Sequence, residues 1–237
     1  KDFKIQPIGA PIGFHQQPSS KDDWAATESG AGKSYFQRNE ANRKLLLKKF
    51  DKTYIRDFRN MDVNRGKFYL ANTKLYKRDM ALYMPNLRGR TLARGDGNTA
   101  PVLKGKVSVV VLFSRSWAEQ QTKSFVGKKE NPELWEALAE AGEGAQVVEV
   151  NHEEFRLSSL MVRLFEWNLR RVRSVEEQER YFILRGIPQV VKDNVALMND
   201  KVGYVFLLDR DCRIRWSACG DAWDGEKESL VKGLQKL

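Results

Sequence analysis

Cysteine and histidine are nearly absent: the chain has two of each in 237 residues. Cys212 and Cys219 cannot build a disulfide framework, and so low a count suits a reducing compartment. Their spacing is not Cys-x-x-Cys. His15 and His152 stand alone, without a Cys or His partner at zinc spacing, so no metal is expected. Long apolar runs are missing too. A spanning helix needs about 20 apolar residues, and the longest run, Val107 to Phe113, has the length of a buried strand. The expectation is a soluble or peripheral chain with no transmembrane segment. There is no Gly-x-Ser-x-Gly elbow, and no pair of carboxylates rises above a solvated face. No catalytic residue, nucleotide or cofactor is expected, and the inventory favours binding or assembly over catalysis.

One stretch imitates chemistry. "TESGAGKS" (27–34) ends like a phosphate-binding loop. That loop needs Gly five residues before its Gly-Lys, and a buried strand ahead of it. Here the first position is Thr27, and the preceding Ser19-Ser20-Lys21-Asp22-Asp23-Trp24 is too polar for a central strand. The stretch reads as a small flexible loop.

Positive charge is in excess, with a net +10 and a pI of about 9.6. Such a balance favours acidic partners, whether anionic lipid, nucleic acid or an acidic protein face. The chain opens on Lys1 rather than Met, and removal of an N-terminal targeting segment is the expectation.

Three regions follow from pattern. Residues 1–37 carry Pro7, Pro11 and Pro18 without a period and read as extended or disordered. Residues 38–100 form a basic helix and a wrapping extension. Within 39–59, Leu46, Leu47, Phe50, Tyr54 and Phe58 fall on one arc, while Lys44, Lys48, Lys49, Lys52 and Arg56 fall on the other. Such a helix lies on an anionic membrane, or docks its apolar arc on the domain and leaves its lysines in water. Residues 60–100 interleave aromatics with Arg and Lys. The pattern suits single-stranded nucleic acid, or a segment that wraps the domain and buries its rings. Residues 94–100, "RGDGNTA", read as an exposed linker.

From 101 to 237 the pattern is α/β. "KVSVVVLF" (106–113) is a central strand, apolar on both faces. Then come a helix at 132–142, a strand at 145–150, a long helix at 152–173 and a shorter one at 188–197. Strands at 203–209 and 213–218 make a hairpin across Arg210–Cys212, and a helix at about 223–236 closes the chain. This order is the ground plan of a thioredoxin-like domain. Thiol oxidoreductases of that fold place a reactive cysteine after the first core strand, at a helix N-terminus. Here the place reads Ser114-Arg115-Ser116-Trp117, and where such enzymes carry a cis-proline the chain reads Val202-Gly203-Tyr204.

"NRGKFYLANTKLYKRDMALYMPNLRGRTL", "LFSRSWAEQQ" and "MNDKVGYVFLLDRDCRIRWSACGDA" together resemble the ATP-ten family of mitochondrial ATP synthase assembly factors, over roughly residues 38–237. The resemblance implies a thioredoxin-like fold without thiol chemistry. It also implies a peripheral protein on the matrix side of the mitochondrial inner membrane. There it acts as a chaperone that associates with newly made Fo subunit a before that subunit meets the subunit c ring. The expected client surface is Arg115 and Trp117, extended by Tyr83, Pro85, Asn86 and Leu87. The bland reading of Pro85-Asn86-Leu87 is that they pack the extension onto the sheet. The expected lipid contact, with anionic inner-membrane lipid, is Lys44, Lys48, Lys49, Lys52 and Arg56. Nucleic acid is not an expected partner under this reading. The rival classes are an RNA- or ribosome-associated basic module and a thioredoxin-like redox protein.

The basic arc makes a first prediction. Each lysine near an anionic surface contributes about 1 kcal/mol, less as salt rises. Replacing Lys44, Lys48, Lys49 and Lys52 by Gln keeps helix propensity. Flotation with anionic liposomes should then fall sharply while the circular dichroism spectrum stays unchanged. Undiminished flotation would remove the arc as a lipid contact.

Overall fold

The computed structural model describes residues 5–22, 24, 66–93, 95–152 and 166–237. The expected basic helix at 39–59, with Lys44, Lys48, Lys49, Lys52 and Arg56, and the loop at 27–34 lie outside them.

Seven strands form one sheet: β1 (Arg88–Thr91), β2 (Asp96–Asn98), β3 (Val107–Phe113), β4 (Ala145–His152), β5 (Tyr181–Leu184), β6 (Tyr204–Leu208) and β7 (Ile214–Cys219), in the order β2-β1-β5-β4-β3-β6-β7. β3, β4 and β5 are parallel, while β6, β7, β1 and β2 pair antiparallel to their neighbours. Every residue of β3 is buried, Ser108 included, as its mostly apolar, β-branched sequence suits a strand covered on both faces. The parallel β3–β4 pair, the β6–β7 hairpin and a closing helix make the thioredoxin-like core.

Among the described residues, the helices with both ends described are α1 (Thr99–Leu103), α2 (Ser116–Val126), α3 (Pro132–Ala141), α4 (Val175–Glu179), α5 (Gln189–Asn194) and α6 (Glu226–Lys236). Alternation along the strands sorts the core into two faces. Val109, Val111, Phe113, Val205, Leu207, Trp216 and Ala218 meet α2, α3 and α6. Val110, Leu112, Val148, Val150, Phe182, Tyr204 and Phe206 meet α5 and a set of extended segments. One of those segments is residues 5–22, which lie packed, with Ile8, Ile12 and Phe14 buried and Phe14 exchanging two backbone hydrogen bonds with Tyr83.

Several expectations shift. The strand expected at 145–150 runs on through His152, where a helix was expected to begin; residues 153–165 of that helix lie outside the described residues, and 166–171 is helical. Most of the stretch expected as a linker is regular structure: Asp96–Asn98 is β2 and Thr99 opens α1. β1 pairs with β5 across Arg90↔Ile183, so the sheet continues over the boundary expected at residue 100. β5 and α2 had not been singled out as elements.

Residues 66–84 run along the outer edge of β7. Phe68 and Tyr69 donate backbone N–H to Cys219 Sγ (3.3 and 3.4 Å), Tyr76 N–H meets Arg215 O, Leu82 O accepts from Ile214, and Met84 N–H meets Cys212 O. The edge is thereby covered, which guards an exposed strand against pairing with other chains. The wrap is pinned by Lys67. Its ammonium is buried, pairs with Glu226 and donates to Asp221 O at 2.8 Å. Glu226 stands at the first position of α6, where a carboxylate suits the helix dipole. It also accepts from Ala71 N and Trp223 N, both at 2.8 Å.

Gly203, just ahead of β6, sets a second constraint. A Cβ there would lie 2.4 Å from Ala118 O and 2.8 Å from Thr122 Cγ2. The missing side chain lets α2 sit directly on the start of β6, and Gly203 N–H donates to Gln121 Oε1 at 2.9 Å. Two substitutions test these constraints by chemical denaturation. Lys67→Met strands a buried carboxylate and should lower stability by about 3–5 kcal/mol. Gly203→Ala should cost about 1–3 kcal/mol through overpacking. A loss below about 1 kcal/mol for Lys67→Met would show that the ion pair does not hold the wrap.

Candidate functional site

The candidate corner lies where β3 ends. Phe113 closes the strand, the Ser114 hydroxyl donates to Asp200 O, and Arg115 is the extended N-cap residue of α2. No side chain caps that helix end. Arg115 is exposed, and the indole of Trp117 is 39% exposed, its edge against Gly66. Gly66 sits between Trp117, Gln121 and Val202, and Gly220 lies so close to Gly66 and Lys67 that a Cβ would meet Lys67 N at 3.0 Å. The start of the wrap therefore lies across the corner. Beyond it is Trp223, 41% exposed, its ring centroid 5.7 Å from the Lys67 ammonium. At the start of α2 the surface offers a half-open indole and an arginine, without a thiol. Sequence reasoning proposed Arg115 and Trp117 from their place after β3. It did not single out Trp223, which the fold brings to the other end of α2, where Ala222 N–H donates to Ser124 Oγ at 2.7 Å.

The other expected members lie elsewhere. Tyr83 bridges Phe14 and Arg213, whose guanidinium sits 4.2 Å from its ring centroid. Arg213 belongs to the β6–β7 turn, beside the start of β3, since Ser108 pairs with Leu208. The seven residues of β3 put roughly 20 Å between that end and Arg115. Tyr83 and Arg115 therefore share no surface. Pro85, Asn86 and Leu87 are buried. Asn86 Nδ2 donates to Asn98 Oδ1 (2.8 Å), its Oδ1 accepts from Ala100 N (3.1 Å), and Leu87 exchanges hydrogen bonds with Thr99. Asn86 and Leu87 thereby join the start of the β1–β2 hairpin to Asn98, Thr99 and Ala100 at its end.

The rings suggested for stacking on nucleic acid are also engaged. Phe68 and Tyr69 are buried, and Tyr76 donates its hydroxyl to Ile8 O at 2.8 Å. Among the described residues, no group of three or more His, Cys, Asp and Glu is arranged to hold a metal.

The cysteines sit at opposite ends of the β6–β7 hairpin, both unpaired and buried. Cys212 occupies the turn with φ +67°. Asp209 organises that turn, accepting from Asp211 N and Arg213 N on one oxygen and from Arg215 on the other. Cys219 accepts two backbone N–H groups from the wrap. Burial pushes both thiols up from 9.0 to about 11. At neutral pH roughly one thiol in ten thousand is then thiolate, which leaves both poor nucleophiles. The raised values carry a sign. The native state holds these protons where the unfolded chain releases them, so the stabilisation is present below pH 9 and lost as the pH rises through about 11. Two outcomes are expected. Iodoacetamide at pH 7.5 should leave both thiols intact until denaturant is added. Cys219→Ala should flatten the fall in melting temperature between pH 9 and 11. Rapid labelling of the native chain would contradict the inert-thiol assignment.

The mitochondrial ATPase complex subunit ATP10 of Eremothecium gossypii is 31% identical over 246 residues, covering 100% of this chain and 88% of that protein. The protein of the same name from Saccharomyces cerevisiae is 29% identical over 252 residues, with the same coverages of 100% and 88%. Among solved structures, a DsbF homologue from Corynebacterium diphtheriae is similar at 17% identity, covering 70% of this chain and 94% of that one, with a TM-score of 0.46. The model of the family described as ATP10 protein matches residues 1–237, and the chain belongs to that family.

Proposed function

We propose that this protein is a non-enzymatic assembly factor of the mitochondrial ATP synthase. It associates with newly made Fo subunit a and promotes the joining of that subunit to the subunit c ring. It works as a peripheral protein on the matrix side of the inner membrane, held in part by anionic lipid. The observation that carries this reading is the full-length match to relatives named as mitochondrial ATPase complex subunits. Three features support it. No helix among the described residues is long and apolar enough to cross a membrane. The positive balance of +10 suits an anionic surface. The corner that would carry a reactive cysteine in a thiol oxidoreductase offers Arg115 and Trp117 instead.

Arg115 and Trp117 are the proposed contact with subunit a. Indole and guanidinium groups are the side chains that most often dominate an interface, and truncating one commonly costs about 2 kcal/mol, roughly 30-fold in Kd. The experiment is Arg115→Glu with Trp117→Ala, scored by crosslinking to subunit a in intact mitochondria and by ATP synthase assembly on native gels. Both readouts should fall while the melting temperature holds. A folded double variant with full crosslinking and assembly would move the contact elsewhere. Loss of crosslinking to subunit a only on exchange of Cys212 and Cys219 for Ser would favour the redox reading instead.

A further inference from the structure

A cleft of about 570 Å³ opens at the C-terminal end of β5, far across the sheet from the β7 edge. Its volume lies in the range of small-molecule sites, about 300–1,000 Å³. The floor is apolar: Leu87 and Leu184 are buried there, Ile187 and Pro188 follow β5, and the Trp24 indole forms a wall, its ring 4.4 Å from Phe14. The rim is cationic, with Lys21, Arg88 and Arg185.

What marks the rim is that three cations share one concavity. Several basic side chains of the sheet and its helices meet carboxylates: Arg90 and Arg170 meet Glu166, Arg173 meets Glu149, Lys192 meets Asp200 and Arg215 meets Asp209. Lys21, Arg88 and Arg185 make no such pair among the described residues. The one carboxylate in the lining, Asp22, accepts the backbone N–H of Ser19 at 2.8 Å and holds its own turn. Like charges converging on one concavity repel, and the arrangement is relieved by an anion. The three cations come from separate parts of the chain: one precedes Trp24, one opens β1 and one follows β5. Local sequence therefore does not explain their meeting.

We propose that this cleft binds a phosphate group carried on a small or apolar stem. Two guanidinium forks and an ammonium match the several acceptor oxygens of a phosphate, and guanidinium pairs with them two at a time. The apolar floor accommodates the stem. The shared chemistry fits a free phosphate ester or a phospholipid headgroup. The site is separate from the Arg115–Trp117 corner and does not depend on the proposed subunit contact.

The test uses the full chain. Calorimetric titration with inorganic phosphate and with glycerol 3-phosphate addresses the free ester. Flotation with phosphatidylcholine vesicles, with and without phosphatidic acid, addresses the headgroup. Each is repeated with Arg88→Gln/Arg185→Gln. Both side chains are exposed, so the fold should hold, and Lys21→Gln, outside the sheet, serves as the second variant. Saturable binding of glycerol 3-phosphate weakened at least tenfold by the double variant assigns a free ester. Binding seen only with phosphatidic acid vesicles, and weakened at least threefold by the same variant, assigns a headgroup. Absence of binding in both arms, or binding that both variants leave unchanged, overturns the proposal.

Discussion

The buried pairing of Lys67 with Glu226 is the interaction on which the rest of the arrangement depends. An ammonium out of water is tolerated only when its hydrogens are met. Here the carboxylate, the Asp221 carbonyl and the face of Phe125, 5.2 Å from the ammonium, meet them. Glu226 is satisfied in turn by two backbone N–H groups and by its place at the start of α6. Either group alone would be an uncompensated buried charge, so the pair specifies one seat for residue 67. From that seat the chain must follow the β7 edge to Met84. The wrap then leads into Pro85–Leu87 and the β1–β2 hairpin, which completes the opposite end of the sheet.

The same constraint shapes the corner. With Lys67 fixed, Gly66 falls between Trp117, Gln121 and Val202, and no side chain larger than hydrogen fits there. Gly203 and Gly220 keep that region narrow for the same reason. In thiol enzymes of this fold the equivalent ground must stay open to a substrate disulfide and must hold a thiolate. Here the chain's own backbone lies across it, the hydroxyl of Ser114 is committed to Asp200 O, and the thiols sit deep in the hairpin. What stays exposed is the outer surface of Arg115 and Trp117, which suits contact between proteins better than chemistry within a cleft.

The parts of the fold that were legible in sequence are those whose burial is local. β3 reads as a strand because both its faces are covered. The β6–β7 hairpin reads from two apolar runs around Arg210–Cys212, and α3 from Pro132 and Gly142 at its ends. β5 was missed because Tyr181–Leu184 is only four residues long. A signal lay just before it, since Ser174 and Glu177 form a capping box for α4. β1 and β2 were missed because a short hairpin at the edge of a sheet carries Arg, Gly and Asp rather than an apolar alternation. Ile8, Ile12 and Phe14 have no period at all. They are buried by distant partners, and no local pattern announces that. The same reason divides the candidate site. Arg115 and Trp117 are fixed by their distance from β3, whereas the fate of Tyr83, Pro85, Asn86 and Leu87 is decided by packing against residues far along the chain.

Charge completes the contrast. A surplus of positive residues says only that the partners are acidic. The fold distributes that surplus unevenly. Along the sheet and residues 166–173 guanidinium groups meet Glu149, Glu166 and Asp209, pairs that orient segments and have little left for a ligand. Around the cleft at the end of β5 the fold brings together Lys21, Arg88 and Arg185, which make no ion pair among the described residues. Three cations around one concavity repel one another, and an anion from outside the chain, as proposed for this cleft, would relieve that repulsion.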